Sequence, residues 1–117
     1  MEFFLIMSEY QNKAVELMQL RSGEDSILDI NDRRNDFLRR AIELFYAMEG
    51  DAAEISAVAQ KVYSTGHQLR VDRAVGDVMY KLAGVAHLYD IDMMQAAYNK
   101  LEEAHRQIAS IRLTRKI

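Results

Sequence analysis

Apolar residues recur along most of this chain at the three- and four-residue spacing of a single helical face. Phe4, Ile6, Met7, Tyr10, Ala14, Leu17 and Met18 predict a helix within residues 2–21, stopped by Gly23. Residues 24–31 carry no such pattern and read as a loop, with Asn31 or Asp32 placed to cap the next helix. Phe37, Ala41, Leu44, Phe45, Met48, Ala52, Ile55, Ala59 and Val62, widened by Leu38 and Ile42, predict one long helix over residues 32–64 with Gly66 as its stop. Val71, Val75, Val78, Leu82, Val85 and Leu88 predict a third helix starting near Leu69. Beyond a joint at Tyr89-Asp90, the set Ile91, Met94, Ala97, Tyr98, Leu101 and Ile108 predicts a fourth helix, capped by Asp90 or Asp92 and running to about Ile111. The basic tail, residues 112–117, is expected to fray. No strand alternation, low-complexity tract or internal repeat stands out. The expected fold class is all-α: a four- to five-helix antiparallel bundle in one domain, residues 1–117, with residues 1–23 as its N-terminal helix.

On the third helix Val71, Val75, Val78, Met79, Leu82, Ala83, Val85, Ala86 and Leu88 cover more than half the circumference. A protomer of this size cannot hide them all internally, so a homodimer or higher homo-oligomer joined through the central helices is expected. Composition agrees with a helical domain. Half of the 117 residues are hydrophobic, and there is neither proline nor cysteine. The missing cysteines exclude a disulfide scaffold and a thiolate metal site. A formal charge of -3 gives no electrostatic reason to expect nucleic acid. The apolar run Phe3 to Met7 is too short to span a bilayer and follows Glu2 rather than a basic region, so the expectation is a soluble, cytoplasmic protein without a signal peptide or membrane partner.

Candidate chemistry centres on two Gly-Asp dipeptides, Gly50-Asp51 and Gly76-Asp77. Glycine in a helix interior costs about 1 kcal/mol relative to alanine, so two of them suggest helices in close approach. If the second and third helices form an antiparallel hairpin turning near Gly66, Glu54 falls opposite Val78 and beside Asp77, with Asp51 one turn away, about 4 to 5 Å along the axis at ~1.5 Å per residue. Three oxygen-donating carboxylates from two helices suit a hard cation such as magnesium, which offsets phosphate charge. The competing reading is that Asp51, Glu54 and Asp77 are solvated surface acids, with Lys81 paired to Asp77 four residues on. His67, His87 and His105 have no ligand spacing between them, and the methionines read as core filler. Arg33, Arg34, Arg39 and Arg40 read as a solvated basic face, although arginine also suits phosphate.

The text Val75-Gly76-Asp77-Val78, the apolar helix after it, Tyr89-Asp90-Ile91-Asp92-Met93-Met94-Gln95-Ala96 and Asn99-Lys100-Leu101-Glu102 resembles the second half of the MazG-like nucleotide pyrophosphohydrolases. Arg33 to Phe37 and Met48 to Glu54 resemble the helix carrying that family's first acidic motif, so a MazG-like core over about residues 30–111 is expected. The resemblance implies hydrolysis of a nucleoside triphosphate to monophosphate and pyrophosphate, with magnesium held by a Glu-x-x-Glu pair and a Glu-x-x-Asp pair. Here those pairs become Met48 with Asp51 and Ala74 with Asp77. A shift of one turn would pair Asp51 with Glu54; Ala74 has no substitute. The resemblance therefore implies Asp51, Glu54 and Asp77 as metal-binding and catalytic residues, Lys81, Asn99 and Lys100 as substrate-binding ones, and weak magnesium binding. The alternative is a non-catalytic dimeric binding module that keeps the fold.

Overall fold

The computed structural model describes residues 8–65 and 68–116, with side chains to residue 113. Among these residues every regular element is a helix: α1 (Glu9–Ser22), α2 (Glu24–Ile27), α3 (Ile30–Ala47), α4 (Ala52–Thr65), α5 (Val71–Leu88) and α6 (Met93–Lys116). The all-α expectation holds. Several boundaries differ from the sequence reading: α3 begins at Ile30, and α6, expected to end at about Ile111, runs on to Lys116. The unpatterned stretch after Gly23 contains the one-turn helix α2, which begins directly after Gly23. The single helix expected over residues 32–64 is two helices, broken at residues 48–51. The expected stop at Gly66 and the turn at His67 lie outside the described residues.

The helix ends obey local chemistry. Ser8 caps α1, its hydroxyl accepting the Gln11 amide at 3.0 Å. Gly23 ends α1 at φ 88°, a backbone setting that costs glycine little, and its amide donates to the Gln19 carbonyl at 2.8 Å. Neither Asn31 nor Asp32 caps α3, because α3 already begins at Ile30. Asp92 is the cap of α6, accepting the Gln95 amide at 2.9 Å.

The break between α3 and α4 and the joint between α5 and α6 are built alike. Glu49 and Asp90 take left-handed backbone, φ 67° and 56°. The Glu49 amide donates back to the Tyr46 carbonyl and the Gly50 amide to Phe45, at 2.9 and 3.0 Å. Likewise Asp90 donates to His87 and Ile91 to Ala86, at 3.1 and 2.9 Å. This is the Schellman closure, which satisfies carbonyls that the ending helix leaves free. An aspartate two residues after the left-handed one then caps the next helix. Each feature recurs 41 residues on: helix start at 30 and 71, left-handed residue at 49 and 90, cap at 51 and 92, next helix at 52 and 93. The helix starts and joints described from Ile30 onward thus recur at a fixed spacing. The recurrence is invisible as sequence because, between residues 30–65 and their counterparts, only Asp36/Asp77 and Asp51/Asp92 are identical pairs.

Two units are distinguished, residues 1–29 with 78–117, and residues 30–77. In the first, α1 packs against α2 and α6. Tyr10 meets Tyr98 edge to face at 5.4 Å between ring centres, the geometry favoured by the ring quadrupoles, and Arg21 donates to the Gln107 side chain at 3.1 Å. Ala86 and Ile108, each 8% exposed, are the buried apolar residues among those described. In the second unit no residue of α3 or α4 is buried. Phe37, Leu38, Val58 and Val62 stand more than half exposed there, and Val75 does so on the first turns of α5. No described helix is long and apolar enough to cross a membrane.

Candidate functional site

Asp51 stands at the start of α4 as its N-cap, because the Schellman closure at Glu49 and Gly50 has just ended α3. Glu54 is the third residue of α4. The Glu54 amide donates to Asp51 Oδ1 at 2.9 Å, and the Asp51 amide donates to Glu54 Oε1 at 3.2 Å. This is a reciprocal capping box, each carboxylate satisfying an amide that the helix start would leave free. The two acids are together, as the spacing predicts, and both are exposed. Their job in this geometry is local: negative charge at a helix N-terminus stabilises it against the macrodipole. The same dipole disfavours a cation there.

Gly50 is in the joint and not inside a helix. A Cβ on it would overlap the Phe45 ring, lying 2.5 Å from Cδ2 and Cζ and nearer still to Cε2. Gly50 therefore admits the ring of its own helix end. A Cβ on Gly76 would meet nothing within 4 Å among the described residues.

Asp77 lies exposed on the second turn of α5, and neither it nor Lys81 has an ion-pair partner among the described residues. Lys81 instead sits over the Tyr80 ring, 5.5 Å from its centre. Among the described residues there is no group of three or more histidines, aspartates or glutamates that could hold a metal ion. One copy of the chain thus joins Asp51 to Glu54 without making a metal-holding cluster of the two with Asp77. Met48 and Ala74, where the resemblance expects carboxylates, are both half-buried.

The three residues expected to meet substrate are all exposed. Asn99 accepts the Gln95 side-chain amide at 2.9 Å, and Lys100 reaches Glu103 at 3.4 Å. The arginines of α3 are engaged along their own helix. Arg33 pairs with Asp36 at 3.0 Å, and Glu43 receives both Arg40 at 2.7 Å and Arg39 at 3.5 Å. Arg34 bonds to Asn31. Hydrogen bonding from Arg40 holds the Glu43 carboxyl below its usual range, and the same contact raises the Arg40 guanidinium. The basic cluster is therefore a ladder of helix-face pairs.

A feature without a sequence signal is an open groove of about 390 Å³ in the first unit, lined by Leu20, His105, Ile108, Ala109, Arg112 and Leu113. It involves none of the acids or substrate residues above. Its parts come from α1 and α6, far apart in the chain, and only their packing reveals it. The capping box, by contrast, is legible in the sequence: Asp-x-x-Glu before an apolar helix is its signature.

No protein-family model, no curated protein and no solved structure matches this chain.

Proposed function

We propose that this chain is the subunit of a MazG-like homo-oligomer, a nucleoside triphosphate pyrophosphohydrolase with a reduced carboxylate set, slow in turnover and weak in magnesium binding. The observation that carries the reading is the uncovered apolar seam of α3 and α5, where Phe37 and Val75 are each 58% exposed. Apolar surface on this scale calls for a partner, and repeated helices of one chain supply the simplest one, a second copy. The nucleotide chemistry rests on the resemblance around Gly76-Asp77, Asp92 and Asn99-Lys100. In an oligomer Asp77 would gain neighbours that one copy does not give it.

A second reading is favoured by the capping box. With Asp51 and Glu54 engaged at the start of α4, and with Met48 and Ala74 in place of acids, the chain would act as a non-catalytic binding module. One assay separates the two: pyrophosphate release from the eight common ribo- and deoxyribonucleoside triphosphates, with and without magnesium. The first reading expects slow, magnesium-dependent release that Asp77→Ala abolishes. No release from the natural protein at high enzyme concentration supports the module instead.

A further inference from the structure

Charge is unevenly spread along this chain. All 18 aspartates and glutamates lie at or before Glu103, while four of the 15 lysines and arginines, Arg106, Arg112, Arg115 and Lys116, come after it. Residues 1–103 therefore set those 18 acids against the other 11 bases, a net -7, and residues 104–117 carry +4. Cations in the last turn of a helix are ordinary, because they offset the negative end of its macrodipole. That effect covers Arg115 and Lys116 but fades beyond one turn, so it does not reach Arg106, more than two turns before α6 ends at Lys116. Neither Arg106 nor Arg112 has an ion-pair partner among the described residues.

The open groove of about 390 Å³ lies at this basic end. It is made by the packing of α1 on α6, which the Arg21 bond to Gln107 marks near the end of α1. Helix α1 stops at Ser22, whereas α6 runs nine residues past Gln107, about 13 Å at ~1.5 Å per residue. Ile108 is buried there, while Leu20 and Leu113, 50% and 65% exposed, leave apolar surface uncovered on either side. His105 and Arg112 are seven residues apart on α6, two turns and about 10 Å, so they share a face with Ile108 and Ala109 between them. The lining is thus apolar along its middle and polar at its ends, and Arg112 supplies its permanent positive charge.

We propose that this groove binds a single-chain amphiphile with a carboxylate head, a medium-chain fatty acid, the head on Arg112 and the tail along Ile108, Ala109 and Leu20. Size favours a small ligand. Clefts for such ligands run from about 300 to 1,000 Å³. Two turns of a partner helix, about 11 Å long and 10 Å across, fill roughly 850 Å³, so a docked peptide helix would enter this groove only by its edge. Charge sets the sign of the head: residues 104–117 attract an anion, and the acidic remainder of the chain repels it. The same arithmetic selects the head. One guanidinium grips one carboxylate through two parallel hydrogen bonds, whereas a phosphate monoester brings about -1.5 to -2 and leaves charge unmatched. The tail gains by leaving water against the three apolar side chains. The site shares no residue with the chemistry proposed above and stands whether or not the chain hydrolyses nucleotides.

The test titrates the isotope-labelled full chain with decanoate, decanol and decyltrimethylammonium, each below its micelle-forming range, and follows the backbone amides by NMR. Decanoate should move Leu20 and Ile108 to Leu113 saturably, binding about tenfold or more tighter than decanol, with the cationic probe weakest. Arg112→Gln should bring decanoate down to the affinity of decanol and leave decanol unchanged. Decanol is the control for folding here, because it reads the apolar part of the groove alone. Leu113→Glu, at an exposed position, should weaken decanoate more than decanol. Equal affinity for the three probes would overturn the proposal, as would shifts that gather instead on exposed α3 residues such as Phe37 and Leu38. No saturable shift at millimolar decanoate would overturn it as well. Binding to phosphatidylglycerol vesicles without binding to decanoate would do the same, and would assign the basic end of α6 to a membrane surface.

Discussion

Asp51 and Glu54 hold each other's backbone, two exchanged hydrogen bonds of 2.9 and 3.2 Å closing the first turn of α4. A carboxylate in that position is defined by the amide it accepts, and this separates a cap from a metal ligand experimentally. Serine caps a helix as well as aspartate does but carries no charge. Asp51→Ser should hold stability within a few tenths of a kcal/mol of the natural protein in urea denaturation. Asp51→Ala should cost about 1 kcal/mol. If Asp51→Ser loses as much as Asp51→Ala, the negative charge itself matters and the cap is not the whole role.

The two Gly-Asp dipeptides should respond in opposite directions. Gly50→Ala places a methyl group in the Phe45 ring and should cost roughly 1 to 3 kcal/mol, as overpacking does. Adding Phe45→Leu should recover part of that loss. Gly76→Ala meets open space and removes a helix-interior glycine, so it should stabilise by up to about 1 kcal/mol. Thermal melting of the three variants checks this. A loss at Gly76 would mean that a second copy presses on α5 there.

Glu43 offers a test by pH. Its folded carboxyl is held below the ordinary 4.5 by hydrogen bonding from Arg40. A depressed acid contributes stability fully above its unfolded pKa, and that contribution fades as pH falls through the folded value. The change should therefore fall below about pH 4.5 and leave neutral pH untouched. Carboxyl NMR titration should show Glu43 low in the natural protein and moved up in Arg40→Ala. No movement would assign the shift to some other neighbour.

Magnesium provides the fourth prediction. A small hard cation gains from each added carboxylate both a ligand and a charge that offsets its dehydration. Met48→Glu with Ala74→Glu should raise magnesium affinity measured by calorimetry, and pyrophosphate release should rise with it. Asp77→Ala in that background should reverse both. Unchanged calorimetry in the doubly restored protein would count against any magnesium site built from these helices.

The helices are legible in the sequence because their periodicity is a property of each helix alone. Gly23 and Asp92 are legible too, because stops and caps are also local. The break at residues 48–51 is not, because Met48 and Ala52 continue the apolar seam across it. The left-handed residue there is Glu49, not the glycine that usually marks such a place. Gly50 has the look of a helix-interior glycine but instead makes room for Phe45. The recurrence is hidden for a related reason: the geometry of each joint depends on main-chain hydrogen bonds that many side chains permit. The placement of Asp51, Glu54 and Asp77 around one cation depends on an assumed hairpin, a tertiary relation that no local pattern encodes.

Because each joint is closed by hydrogen bonds within about ten consecutive residues, neither the turn at Glu49 nor the one at Asp90 needs a partner in order to form. Such local closure runs on the microsecond scale of helix and turn formation. On the proposed homo-oligomer, covering the α3 and α5 seams instead requires two chains to meet. Refolding should therefore separate into a fast helix-forming phase whose rate ignores protein concentration and a slower burial phase whose rate rises in proportion to it. On that proposal the reaction is unimolecular and then bimolecular, because the hydrogen bonds close within one chain and the apolar surface closes between two.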